Sequence, residues 1–354
     1  LRSDEIDWDA PPPRSARNDA SETGPETLRV EGLVKNYRLP DGRTVKANAG
    51  IDLSAREGET VALVGESGCG KSTLAKALLG LTEPTSGRIA LDGRPIGDTP
   101  VRERDAATLR SLQMVFQNPF ETLNPSQTVG AQILRVLERF GVGADRAERR
   151  ARMLALLDVV KLGPEFADRL PRQLSGGQKQ RVGVARAFAG GPRVVVADEP
   201  VSALDVSVQA AVIDLLTEIQ RENRTTLLFI SHDLAVVRYL SDRVVVMYLG
   251  HVVEEGTAAQ VFGPPWHPYA EALLSAAPVA DPAGRPARIV LEGDPPSAID
   301  PPPGCPFQTR CPRKALADRR CETEIPPLFE MGEGHRIRCW LPEKILRTRT
   351  ATEG

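Results

Sequence analysis

The pattern of apolar and polar positions turns strand-like from Leu28, with Val30, Leu33 and Val34, then Ile51 and Leu53, then the unbroken run Val61 to Val64 ending in glycine. Leu74, Ala75, Ala77 and Leu78 then supply one buried face at helical spacing, which predicts a helix from near Gly70 through Leu78, stopped by Gly80 and Pro84. A turn-and-strand region is expected over about Gly87 to Gly97. From about Asn118 to Leu174 the rhythm is helical, carried by Ile133, Val136 and Leu137 and by Met153, Leu156, Leu157 and Val160. This stretch reads as an inserted helical subdomain. Its basic cluster, Arg146, Arg149, Arg150 and Arg152, alternates with Glu148 and alanines and is read as a solvated helix face.

After Pro192 strands and helices alternate: Val194 to Ala197, a helix through Ala210 to Ile219, Thr226 to Ile230, a helix from Leu234, then Val244 to Met247. Such alternation predicts a mostly parallel sheet covered on both faces. Beyond about Ala277 the prolines at 278, 282, 286, 295, 296, 301, 302 and 303 predict an irregular, extended tail with no further sheet. The chain thus divides into a linker over 1–27, an α/β domain over 28–277 with the helical insert at 118–174, and an extension over 278–354.

Composition narrows the class. With 354 residues, 41% hydrophobic and 26% charged, the chain has material for one large domain and a smaller appendage. The 45 basic and 47 acidic residues leave a net charge of −2, so no global field favours nucleic acid or an anionic membrane. No segment has the length and apolarity of a membrane-spanning helix. Any membrane contact is therefore expected through a protein partner. The chain starts at Leu1 with an acidic, proline-containing stretch from Asp4 to Pro25, unlike a secretory signal. It is expected to be a linker, either following another domain or left by trimming.

The chemistry concentrates in three motifs. Gly65-Glu66-Ser67-Gly68-Cys69-Gly70-Lys71-Ser72-Thr73 follows an apolar strand and opens a helix, the arrangement of a phosphate-binding loop. Its glycines let backbone N–H groups wrap the phosphates, with the positive end of the helix behind them. Lys71 adds a full charge worth about 4 kcal/mol at ~4 Å from a phosphate oxygen for an effective dielectric near ~20. Ser72 is the expected hydroxyl ligand of Mg²⁺, and Cys69 fills a free position of the loop as a small spacer. Asp198 and Glu199, at the end of the run from Val194, supply a second carboxylate for the metal and a base for the attacking water. The third motif is Leu174-Ser175-Gly176-Gly177-Gln178, where Ser175 and two glycines open a helix and so offer a second anion-binding helix N-terminus.

Leu174 to Arg181 resembles the signature of the ATP-binding-cassette family, over a resemblance covering about Leu28 to Pro278. It implies an α/β phosphate-loop NTPase with a RecA-like core, an antiparallel β subdomain and a helical subdomain. The activity implied is ATP hydrolysis, with ATP and Mg²⁺ shared between two cassettes, each site combining one chain's phosphate loop with the other's signature. Carried over by position, Tyr37 stacks on adenine, Gln117 is the switch glutamine and a metal ligand, and His232 is the switch histidine. Asp205, in Ser202-Ala203-Leu204-Asp205, belongs to the loop coupling the two sites. Phe116 to Pro125 and Val261 to Tyr269 resemble the oligopeptide and dipeptide importer branch. That implies two transmembrane permease subunits, an extracytoplasmic solute-binding protein, and a second cassette in another chain or the same one. The implied location is peripheral, on the cytoplasmic face of the inner membrane, with no nucleic acid partner. A soluble cassette clamp acting on nucleic acid or the ribosome is the rival reading, and the chain lacks the long coiled coil or second cassette of such proteins.

Four of the five cysteines, Cys305, Cys311, Cys321 and Cys339, cluster in the tail with gaps of five, nine and seventeen residues. In a cytosolic chain this favours metal over disulfides, and four thiolates suit Zn²⁺ or an iron–sulfur cluster alike. The importer resemblance extends to this small cysteine-containing extension and implies a [4Fe–4S] cluster. Zinc and unligated thiols stay open.

Overall fold

The computed structural model describes residues 24–118, 122–202, 204–277, 288–317 and 319–350. Most of the expected linker, the prolines at 119, 278, 282 and 286, and Ala203 lie outside the described residues. Two sheets organise the rest. β1 (Glu26–Arg38), β2 (Thr44–Arg56), β4 (Ser86–Leu91) and β5 (Arg94–Pro95) form an antiparallel sheet in the order β2-β1-β4-β5. The larger sheet contains β3 (Thr60–Val64), β6 (Leu112–Val115), β7 (Val194–Asp198), β8 (Thr226–Ile230) and β9 (Arg243–Tyr248), adjacent and all parallel. Every residue of β3, β7 and β8 is buried. This is the expected state of parallel strands covered on both faces, and it explains their unbroken apolar runs.

The helices are α1 (Lys71–Leu78), α2 (Ala106–Ser111), α3 (Val129–Arg139), α4 (Arg146–Val159), α5 (Gly176–Phe188), α6 (Val206–Asn223), α7 (Leu234–Leu240), α8 (Ala258–Val261) and α9 (Pro268–Ala276). Side-chain alternation on the strands divides the core. Val195 and Ala197 of β7 and Leu227 and Phe229 of β8 face the helical side, packing with Ile133, Leu157, Phe188 and Leu216. Val194, Val196, Leu228 and Ile230 face the other side, with α1 and the antiparallel sheet through Leu28, Ile51, Leu74 and Leu78. Helices α3 and α4 lie within the stretch of helical periodicity, and the arginine-rich face carries the exposed pair Arg152–Glu148 at 2.7 Å.

The extension departs from the expectation. β11 (Phe329–Gly332) and β12 (His335–Ile337) form a hairpin that joins the larger sheet through β10 (His251–Thr257), giving the order β11-β12-β10-β9-β3-β8-β7-β6. The tail is therefore not irregular throughout. The hairpin lies beyond Pro303, turning at Glu333 and Gly334, whose φ values of 50° and 80° suit a two-residue turn. Cys305, Phe307 and Cys321 share a core with Ala62 and Val64 of β3, so the extension packs directly against the sheet that carries the phosphate loop. Two short helices, α10 (Arg320–Thr323) and α11 (Glu343–Leu346), complete it.

Candidate functional site

The phosphate loop joins β3 to α1, and close packing dictates its glycines. A Cβ on Gly65 would lie 2.2 Å from the Met247 carbonyl oxygen, and one on Gly70 would lie 2.3 Å from that of Ala47. Gly65, Gly68 and Gly70 have φ of 148°, 81° and 110°, a backbone that L side chains rarely adopt. The Asn48 side-chain amide donates to the Gly70 carbonyl at 3.1 Å, fixing the loop where the helix begins. Lys71 is 6% exposed, and its ammonium donates to the carbonyls of Gly65 at 2.7 Å and Glu66 at 3.0 Å. Cys69 is buried, with its sulfur 3.6 Å from the same ammonium, and burial raises its pKa. Ser67 and Gly68 are exposed at the tip, and Ser72 and Thr73 follow on the first turn of α1.

Ser72 reaches across to β7, where its Oγ lies 3.4 Å from Asp198 Oδ1. Asp198 is 9% exposed, and burial is the main cause of its raised pKa. The next residue, Glu199, has φ of 44°, and its N–H donates to the Ile230 carbonyl at the end of the neighbouring strand. Gln117 Nε2 donates to Glu199 Oε2 at 3.0 Å and to Ser202 Oγ at 3.3 Å. His232 Nδ1 lies 3.4 Å from that same Glu199 oxygen. Asp233 caps α7 by accepting from the N–H groups of Ala235 and Val236, which holds His232 at the strand-to-helix turn. Glu199, Gln117 and His232, expected from separate motifs, thus meet at the carboxyl ends of parallel strands, where open α/β sheets present ligand sites.

Ser175 caps α5 reciprocally with Gln178: its Oγ accepts from Gln178 N–H at 3.3 Å while Gln178 Oε1 accepts from Ser175 N–H at 2.9 Å. Gly176 and Gly177 form the first turn, and a Cβ on Gly177 would lie 2.4 Å from a Val208 methyl. Asp205 caps α6 through Val208 N–H at 3.0 Å, so the signature and the coupling loop pack against each other. Tyr37 lies on β1 opposite Val45, half-buried, with Lys35 Nζ 4.7 Å from its ring centroid.

Cys305, Cys311, Cys321 and Cys339 all line one small apolar cavity, with His267, Phe307 and Trp340 in its walls. Burial pushes the thiols of Cys305, Cys311 and Cys339 up to about 11, 12 and 12. None of the four is in a disulfide, and among the described residues no group of three or more His, Cys, Asp or Glu side chains is arranged to hold a metal ion. The four cysteines grouped in the sequence share this cavity, and burial favours the neutral thiol at Cys305, Cys311 and Cys339.

Three contacts of the loop were missed. Glu66 fills a free position of the motif, yet its carboxylate pairs with Arg310 at 2.8 Å and its N–H donates to the Tyr269 hydroxyl at 2.7 Å. Tyr269 stood in the importer-like segment without a role, and no local signal marks Arg310. Asn48, under Gly70, carried none either.

A glycine-built phosphate cradle, a buried lysine, a carboxylate beside a helix-start hydroxyl and a glutamate held by glutamine and histidine define a nucleoside triphosphatase of the phosphate-loop class. The family profile described as "ABC transporter" matches residues 49–202, and that described as "Oligopeptide/dipeptide transporter, C-terminal region" matches residues 253–317. A probable peptide ABC transporter ATP-binding protein of Sinorhizobium fredii is 46% identical over 88% of this chain and 89% of its own length. The oligopeptide transport ATP-binding protein OppF of Escherichia coli is 44% identical over 88% of this chain and 95% of its own. Among solved structures, a dimeric ATP-binding cassette in a post-hydrolysis state with ADP and Pi matches at TM-score 0.59 and 31% identity, over 65% of this chain and 98% of that one. The chain belongs to the ABC transporter family of ATP-binding proteins. Its catalytic activity is ATP hydrolysis, with ATP and Mg²⁺. Among the described residues no helix is long and apolar enough to cross a membrane.

Proposed function

We propose that this chain is the ATP-hydrolysing subunit, or one half of a tandem ATPase, that powers import of peptides or related small solutes. The observation that carries the reading is the similarity to peptide-import ATP-binding proteins, which runs through the cassette into the cysteine-bearing extension. Partners of this reading are a second cassette, two transmembrane permease subunits and an extracytoplasmic solute-binding protein, with the chain peripheral at the cytoplasmic face of the inner membrane. No observation favours the soluble clamp.

In this mechanism the loop from Gly65 to Thr73 holds the phosphates, with Lys71 redirected from the Gly65 and Glu66 carbonyls to phosphate oxygens. Tyr37 stacks on adenine. Asp198 is a desolvated carboxylate beside the Ser72 hydroxyl, a donor set that suits a hard cation, and Ser72, Asp198 and Gln117 would hold Mg²⁺. When bound, Mg²⁺ neutralises charge on the β- and γ-phosphates. Glu199 orients and deprotonates the attacking water, and His232, sharing its oxygen, holds the carboxylate toward the γ-phosphate. Ser175, Gly176, Gly177 and Gln178 present their helix N-terminus to the γ-phosphate held by the opposite cassette, and Asp205 links the two sites.

The thiol cavity is proposed as the seat of a metal group, [4Fe–4S] or zinc. Four thiols on one apolar cavity supply the donor set, and binding would have to draw the sulfurs inward and displace their protons. The uptake reading is tested by deleting the gene in its host and measuring entry of labelled oligopeptides. Uptake is expected to fall and to be restored by the wild-type chain but not by Glu199→Gln. Unchanged uptake of peptides would overturn it.

A further inference from the structure

The turn between Cys305 and Cys311 presents its thiols and Phe307 to the cavity, while Phe307 also packs on Tyr269 and Arg310 reaches the phosphate loop. Arg310 is 8% exposed, and its Nη1 donates to Glu66 Oε2 at 2.8 Å and to the Tyr248 hydroxyl at 3.4 Å. Phe307 packs on Tyr248 and Tyr269, with ring centroids 5.2 and 5.4 Å apart, and Tyr269 accepts the Glu66 N–H. One residue of the phosphate loop is therefore gripped twice from the extension, by its carboxylate and, through an aromatic stack, by its backbone. The grip matters because the Glu66 carbonyl is one of the two backbone acceptors of the Lys71 ammonium. Displacing Glu66 moves both the backbone that wraps the phosphates and the seat of the lysine.

The pairing is placed to be effective. The Arg310 guanidinium is buried and Glu66 partly exposed, so solvent screens this charge-assisted hydrogen bond only in part, and among the described residues Arg310 has no other carboxylate as a hydrogen-bond partner. Its Nε is buried without a hydrogen-bond partner among the described residues, so the side chain bears a desolvation cost that the Glu66 contact offsets. The extension touches the adenine side as well, where the Ala298 carbonyl accepts from Lys46 N–H at 2.9 Å, next to the Val45 that faces Tyr37.

We infer that Arg310 is a positioning residue for ATP binding: from the cysteine-bearing turn it holds Glu66, and with it the phosphate loop, in the geometry that receives the phosphates. This goes beyond the import reading and does not depend on any metal at the cysteines. A residue acting on the loop before nucleotide arrives affects ground state and transition state together, so KM rises while kcat holds.

The test is steady-state MgATP hydrolysis by the full chain in its assembled transporter, comparing wild type with Arg310→Met, Arg310→Lys, Glu66→Gln and the double variant Arg310→Met/Glu66→Gln. Arg310→Met is expected to raise KM about tenfold with kcat within about threefold, and Arg310→Lys to recover most of the loss. Glu66→Gln, which leaves the cysteine turn untouched, is expected to raise KM similarly, and the double variant to add nothing to the worse single change. If Arg310→Met fails to assemble, Glu66→Gln and Arg310→Lys carry the test by the same KM readout. Unchanged KM with activity falling only as the folded fraction falls would assign Arg310 a merely structural role and overturn the inference. Additive losses in the double variant would overturn it equally.

Discussion

Replacing Gly70 by alanine sets a methyl group 2.3 Å from the Ala47 carbonyl oxygen and 2.6 Å from the Asn48 side-chain nitrogen. The backbone there has φ of 110°, a region that costs a side-chain-bearing residue on the order of 1–3 kcal/mol. The clash adds about 1–3 kcal/mol, since relief requires moving the β2 backbone rather than a flexible side-chain end. Gly68 provides the control. Its φ is 81°, but a Cβ there meets nothing within 4 Å, so it bears the conformational term alone. Urea unfolding of both variants without nucleotide separates the two terms: Gly70→Ala is expected to be less stable than Gly68→Ala by about 1–3 kcal/mol. The helix start must also shift to relieve the contact, so equilibrium binding of MgADP to Gly70→Ala is expected to weaken by about tenfold or more. Equal stability of the two variants, with nucleotide binding retained in Gly70→Ala, would refute the claim that close approach rather than flexibility dictates this glycine.

Further outcomes follow from the same geometry. Glu254 on β10 is fully buried against His335 at 2.9 Å and accepts His267 N–H at 2.7 Å, and burial pushes its pKa up to about 7. A carboxyl whose folded pKa lies above its unfolded value stabilises most at low pH, and that contribution is lost as pH rises from about 4.5 to 7. Urea unfolding at pH 5 and pH 8 should therefore show wild type losing stability relative to Glu254→Gln as pH rises, by about 3 kcal/mol at most; a difference independent of pH would contradict the assignment. If the thiol cavity seats the proposed [4Fe–4S] cluster, protein purified without oxygen will carry iron and sulfide, about four irons per chain, lost in Cys311→Ser. Stoichiometric zinc would assign zinc instead, and colourless, metal-free protein under verified anaerobic handling would overturn the metal reading. Tyr37→Ala is expected to weaken MgATP binding more than Tyr37→Phe, measured by equilibrium titration; equal affinities for all three proteins would remove Tyr37 from the adenine site.

What the sequence revealed, and what it hid, follow from the range of the interactions. The phosphate loop, the Asp198-Glu199 pair and the Ser175 cap were legible because each is a local arrangement: strand, turn and helix start adjoin in the chain, and residue type follows from backbone geometry. Strands β7 and β8 were legible because burial on both faces leaves no polar position. The edge strand β6 and the inner strand β10 were not called, the one for its brevity and polar Gln113, the other because Glu254 and Glu255 are buried by pairing with His335 and Arg336 rather than by being apolar. The β11–β12 hairpin was hidden behind a proline-rich stretch whose composition was extended to the whole tail. Arg310 and Asn48 were invisible for a different reason: they act on the loop from far along the chain, and no local period records a contact between residues 66 and 310.

In the proposed mechanism Glu199 is the base on which ATP hydrolysis by this cassette depends. In the assembled transporter, Glu199→Gln preserves the Gln117 contact in shape but removes the base, so MgATP hydrolysis is measured beside MgATP binding in the same preparation. Binding is expected to be retained and hydrolysis to fall by about 10²-fold or more. Hydrolysis at the wild-type rate in Glu199→Gln would contradict it.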